Sequence, residues 1–212
     1  MMTISLLHRA GSGALLLLGS SLLLLSGCKQ ACEQNLPEYR LSAAQLSWRA
    51  PYVPDTVWRF RNAAGYEHRY RITSVDTELP AKGSSKSSLC NTYYLEQFTA
   101  NLERTDSTQT ANFNTGKCQL FMEAVLPGST SSTNNSNRLQ WNGASFYLPV
   151  DEVAARQYTL TTARFGGRTY NNVIMSNAAT TSSPPLRLRM YFTVTNGVVA
   201  FDDQYGTLWA RQ

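Results

Sequence analysis

YTLTTARFGGRTYNNVIM (Tyr158–Met175) and LRLRMYFTVTNGVVAFDD (Leu186–Asp203) decide the fold class. Each is a pair of runs rich in β-branched and aromatic residues, folded about a glycine: Gly166-Gly167 in the first, Asn196-Gly197 in the second. A two-residue turn that matches the twist of its strands needs positive φ at its central residues, which glycine and asparagine supply at little cost. Both stretches therefore read as β-hairpins. Pro184-Pro185 stands between them. Proline lacks the ladder N–H and holds its predecessor extended, so this link is loop.

The same texture extends upstream. LQWNGASFYLP turns at Asn142-Gly143, and YYLEQFTANLE and KCQLFMEAVLP read as long partner strands. VWRFRN and YEHRYRITSV alternate aromatic with charged residues and are joined by Ala63-Ala64-Gly65. TLWAR closes the chain. VDEVAARQ is the one helical piece, with Asp151 as its N-cap. GSTSSTNNSNR, from Gly128, has no apolar side chain to pack and is polar loop. Short strands with recurring turn signals make an all-β domain of about ten antiparallel strands. The expectation is a sandwich or a curled half-barrel, lipocalin-like sheet, with at most one short helix.

The leading segment differs. Arg9 and His8 precede the apolar run ALLLLGSSLLLL, then Ser26, Gly27 and Cys28. Charged start, apolar middle and small residues at the end make a secretory signal peptide. The apolar run is short of the roughly 20 residues that span a bilayer. Leu25-Ser26-Gly27-Cys28 resembles the bacterial lipobox, in which the cysteine thiol accepts diacylglycerol and becomes the first residue after cleavage. The resemblance implies acylation at Cys28, which holds a protein on a bilayer when several acyl chains act together. It implies the cell envelope, and Lys29 in place of an aspartate points to the outer membrane, facing either side. The expected division is signal peptide 1–27, lipidated tether 28–54 and β domain 55–212.

Removing residues 1–27 leaves 185 of the 212, enough for one domain with a real core. Only Arg9 is lost among the charged residues, so the remainder carries 18 bases, 14 acids and a net charge of +4. The bases are mostly arginine, 15 against 4 lysines in the whole chain, and nowhere form a dense run. This excludes a nucleic-acid footprint. Three cysteines remain besides Cys28, and an oxidising envelope favours a disulfide. A turn at Arg104-Thr105-Asp106-Ser107 would set residues whose numbers sum to 208 opposite one another, pairing Cys90 with Cys118. Cys32 is then left either as a free thiol in the tether or for an intermolecular bond.

Tyr170, Asn172 and Val173, then Tyr191, Gly197, Val199, Phe201 and Trp209, resemble the closing strands of a family of uncharacterised β-rich bacterial envelope lipoproteins. The resemblance covers about half of the chain after Cys28. It implies location and a β fold, and carries no activity.

Chemistry is scarce. Beyond the signal peptide there is one histidine, His68, on the aromatic side of its strand beside Tyr66 and Tyr70, where it reads as structural. There is no G-x-S-x-G, no H-E-x-x-H and no phosphate-cradling glycine loop. Asp151-Glu152 and Asp202-Asp203 are adjacent pairs at turns, and neighbours on a strand point to opposite faces, so neither pair converges. No enzyme, cofactor or metal site is expected. The patterned feature is arginine: Arg59, Arg61, Arg69 and Arg71, with Arg187 and Arg189 later, all alternate with apolar residues. The first four are expected to form an anionic-ligand patch on one sheet face, suited to carboxylate or phosphate. The partners expected are the membrane, through the N-terminal lipid, and an anionic glycan, lipid headgroup or envelope protein, with no nucleic acid. Two functions follow: a non-enzymatic binding or structural module on a lipid tether, or a small apolar-ligand carrier with a barrel-like cavity.

Overall fold

The computed structural model describes residues 35–83, 92–106, 117–127, 136–178 and 188–212. Among these, fourteen strands and two short helices follow one another: β1 (Glu38–Tyr39), α1 (Ala43–Ser47), β2 (Val57–Arg61), β3 (Glu67–Glu78), β4 (Ala81–Lys82), β5 (Tyr93–Leu95), β6 (Gln97–Arg104), β7 (Lys117–Glu123), β8 (Asn137–Trp141), β9 (Ala144–Tyr147), α2 (Val150–Ala154), β10 (Thr161–Phe165), β11 (Arg168–Asn177), β12 (Arg189–Thr193), β13 (Gly197–Asp202) and β14 (Leu208–Arg211). The folded unit runs from Leu36 to Gln212. Eleven strands form one antiparallel sheet in the order β10-β11-β12-β13-β14-β2-β3-β6-β7-β8-β9. The sheet curls into a half-barrel until β9 comes up against β11, where the Ser176 hydroxyl donates to the Tyr147 carbonyl (3.1 Å). A small sheet, β1-β5-β4, contains the parallel pair β1–β5. No helix among the described residues is long and apolar enough to cross a membrane.

Alternation along β2 and β3 sends Trp58, Phe60, Tyr70 and Ile72 inward, each at most 1% exposed. They meet Trp141 of β8 and Phe201 of β13: the rings of Phe60, Tyr70, Trp141 and Phe201 lie 4.5 to 6.1 Å apart, mostly edge to face or tilted. These arrangements suit the ring quadrupoles and fill the axis of the half-barrel with side chains. A described cavity beside Trp48, Tyr52, Phe192 and Gly197 measures about 10 Å³, room for one water at most.

One end of the half-barrel is plugged by the segment that precedes β2. Ser42 and Gln45 make a capping box, the serine hydroxyl accepting from Gln45 N and the glutamine side chain accepting from Ser42 N. Gln45 Nε2 also donates to Glu123 O (2.8 Å) and Asn137 Oδ1 (2.9 Å), so α1 is tied to the sheet through a buried amide. Trp48 then packs on Phe192 and Tyr52 on Trp58, ring centres 5.5 and 5.1 Å apart. This corrects the tether expected over 28–54: from Leu36 the chain belongs to the folded unit, because Leu41, Trp48 and Tyr52 are core residues.

β10 and β11 leave the wall and lie over its outer face. Asn172, at φ 57°, and a register shift between Thr161 and Ala163 bend the hairpin. Phe165 and Val173 then cover Val199, Ala200 and Ala210, a second core outside the sheet. β13, packed from both sides, is buried at every residue. A bulge against β12 adds Val199 to the outward side, while Val198 and Phe201 stay inward.

Several expectations need correction. The strand read in YYLEQFTANLE breaks at Glu96, whose carboxylate accepts from Leu41 N (2.8 Å), giving β5 and β6 different partners. There are two short helices, and α2 is capped at Pro149 without a side-chain bond, Asp151 lying inside the first turn. The turn expected at Asn196-Gly197 takes three residues, Val194–Asn196, and Gly197 opens β13 at φ +69°. A Cβ on Gly197 would come within 2.6 Å of the Trp58 ring, so its bareness also makes room for a core aromatic. The β6–β7 register pairs Leu102 with Cys118 rather than following a sum of 208, because the connection is longer than a turn at residues 104–107. Cys118 carries a free, buried thiol; its expected partner Cys90 lies outside the described residues, as do Cys28, Cys32, Arg187, Pro184-Pro185 and residues 128–135.

Candidate anion-binding face

The outward residues of β2 and β3 are the arginines. In-register pairing sets Arg59 directly opposite Arg69, Val57 opposite Arg71 and Arg61 opposite Glu67. All four guanidinium-bearing residues are exposed. Side chains directly opposite on adjacent strands have Cβ atoms about 5 Å apart, and like charges there oppose pairing. The ladder thus holds Arg59 and Arg69 together against their repulsion, using the burial of Trp58, Phe60 and Tyr70 beneath them.

Neutralisation is partial. Glu67 accepts from Arg69 Nε (2.6 Å) and lies 3.6 Å from Arg61. The hydrogen bond from Arg69, with the charges of Arg69, Arg59 and Arg61, holds its carboxyl below the ordinary value. Arg71 stands in register with Glu103, and among the described residues neither Arg71 nor Arg59 makes an ion pair. Four cations against Glu67 and Glu103 leave the face positive. A carboxylate or phosphate arriving there would find guanidinium forks open to bidentate hydrogen bonding.

A polar cluster lies at the end of the half-barrel remote from α1. His68 faces inward opposite Phe60, stacks on Trp209 at 3.6 Å between ring centres, and places Nδ1 2.9 Å from Asp106 Oδ2. Asp106 also accepts from Arg69 N (2.9 Å) and from both Nε and Nη2 of Arg104. Burial alone would raise the Asp106 carboxyl; the bonds from Arg104, Arg69 and His68 outweigh it and hold it at about 2. Burial lowers His68, against the pull of Asp106. Beyond them, Tyr70 and Asn142 exchange hydrogen bonds, and the Cys118 thiol lies 3.8 Å from Asn142 Oδ1. Burial pushes that thiol up to about 12, which leaves it an unreactive core group at neutral pH.

The acid pairs are committed elsewhere. Asp202 accepts from Arg189 Nε (2.5 Å). Asp203 accepts from the N–H groups of Tyr205 and Thr207 and from Trp209 Nε1. Among the described residues, no three of His, Cys, Asp and Glu come together as metal ligands.

Two residues beside the arginine face escaped the sequence reading. The tip of the β10–β11 hairpin lies on the end of β14: a Cβ on Gly166 would stand 2.7 Å from Arg211 O and 2.9 Å from Gln212 Nε2. Gln212 N in turn donates to Arg59 O (2.9 Å). The exposed Arg164 and Arg168 flank that tip. Glycines at 166 and 167 announce a turn, and nothing in the sequence says where a turn comes to rest. Comparison with protein-family models, curated proteins and solved structures finds no match.

Proposed function

We propose that this chain is an envelope lipoprotein, acylated at Cys28 and held at the outer membrane, whose β domain is a non-enzymatic module that binds an anionic partner on the Arg59, Arg61, Arg69 and Arg71 face. The observation that carries this reading is the exposed like-charge pairing of Arg59 with Arg69. The register buries Trp58, Phe60 and Tyr70 on the other face, but the fold gains nothing from like charges at 59 and 69, whereas an anion bridging both guanidiniums turns the repulsion into attraction. The aromatic filling of the half-barrel axis favours this module over an apolar-ligand carrier. The stacking of His68 on Trp209 and the burial that raises the Cys118 thiol support a non-catalytic reading of these two side chains.

The test has two arms. Metabolic labelling with palmitate should mark the wild-type chain and leave Cys28→Ser unmarked; an unlabelled wild type removes the anchor. Arg59→Ala/Arg69→Ala should fold as the wild type does and lose most binding to polyanionic probes at low salt, with wild-type affinity falling as salt rises. Equal affinities for the two proteins remove the arginine face.

A further inference from the structure

The hairpin that overlies the wall changes the shape of the arginine face. β10 and β11 form a second layer on β12, β13 and β14, with Phe165 and Val173 pressed onto Val199, Ala200 and Ala210. Stacked β layers lie about 10 Å apart. The layer ends at Gly166, against Arg211 and Gln212, one strand short of β2. The arginines of β2 and β3 therefore lie at the foot of a step roughly 10 Å high. Arg168 stands at the edge of the step, opposite Phe165 in the hairpin register and so on the side of the hairpin that faces the wall.

We propose, building on the anion-binding reading above, that the foot of this step is a groove for an extended anionic polysaccharide, with Arg59, Arg69 and Arg71 as its floor and Arg168 as its wall. Two features choose a chain-like ligand over a bilayer surface. A planar membrane resting on the step would be held off the floor arginines. The floor arginines repeat about 7 Å apart along a strand and about 5 Å across strands, so one anionic group can bridge Arg59 and Arg69 while the next charged sugar of a chain reaches Arg71.

The experiment titrates the full chain, in neutral detergent micelles, with galacturonate and with a decagalacturonate. Arg168→Ala should weaken decamer binding about three- to tenfold, the loss of one charge-assisted contact. It should leave monomer binding unchanged, and Arg168→Lys should recover part of the loss, since the charge returns without the fork. Arg168 is exposed, so the variant keeps its fold; a wild-type circular-dichroism spectrum and urea midpoint verify that. Decamer affinity indifferent to Arg168→Ala, with Arg59→Ala/Arg69→Ala still impaired, overturns the groove and spares the arginine face. Indifference in both overturns both. Binding to mixed micelles containing phosphatidylglycerol, with none to the decamer, replaces the glycan by a lipid headgroup and overturns the proposal.

Discussion

The β2–β3 and β10–β11 hairpins are built from the same device, two alternating runs about a glycine-bearing turn, and they end in different places. β2–β3 lies in the wall: one face is aromatic and closed, the other is arginine and open. β10–β11 lies on the wall, buries little beyond Phe165, Val173 and Ile174, and shows most of both faces to solvent. Alternation fixes which residues share a face. What that face meets is fixed by how much apolar area it offers. Trp58, Phe60 and Tyr70 offer enough to define the core, and Phe165 with Val173 offer enough only to dock on one already formed.

Truncation should separate the two most strongly. Phe60→Ala, at the meeting point of four rings, should cost about 3 to 5 kcal/mol by urea denaturation. Phe165→Ala should cost about 2 kcal/mol, with the β10 amides exchanging faster and those of β2 and β3 unchanged. Equal costs would mean that the overlying hairpin is part of the main core. A finer test is Gly166→Ala. At φ +54°, with the new Cβ 2.7 Å from Arg211 O, the tip must lift from β14, at a cost of about 1 to 2 kcal/mol. A silent Gly166→Ala would break the step on which the groove depends.

The smallest effect concerns acid. Asp106 is held at about 2 against an ordinary 3.8, so its contribution is complete above about pH 4 and vanishes as pH falls through 2. His68, lowered by burial, adds the same sign: its neutral form is favoured in the fold, and that advantage shrinks as pH falls below 6.5. Asp106→Asn should therefore lose about 1 kcal/mol at pH 7, after discounting for solvent screening at so open a site, and the gap to wild type should close towards pH 2. A gap independent of pH would show that the cluster acts by packing alone.

Much of the wall was legible in the sequence. Turn glycines, period-two alternation and β-branched runs located β2, β3, β8, β9 and β10 to β14, since each signal acts within a few residues. The buried segment before β2 was not legible: Leu41, Trp48 and Tyr52 follow no strand period, and only the open end of a curled sheet makes them core. Ser42-Ala43-Ala44-Gln45 did carry a capping-box signal. The break at Glu96 turns on a carboxylate meeting Leu41 N, 55 residues away in sequence, which no local pattern encodes.

The candidate site divides the same way. Sequence alone set Arg59 with Arg61 and Arg69 with Arg71 on shared faces, because a strand's side chains alternate whatever surrounds them. It also left His68 as the one histidine beyond the signal peptide. Register set Arg59 opposite Arg69, and tertiary packing laid the Gly166 tip of a distant hairpin on the end of β14, the strand beside Arg59. Those are contacts between residues far apart in the chain, set by which apolar surfaces could still be covered once the wall had formed.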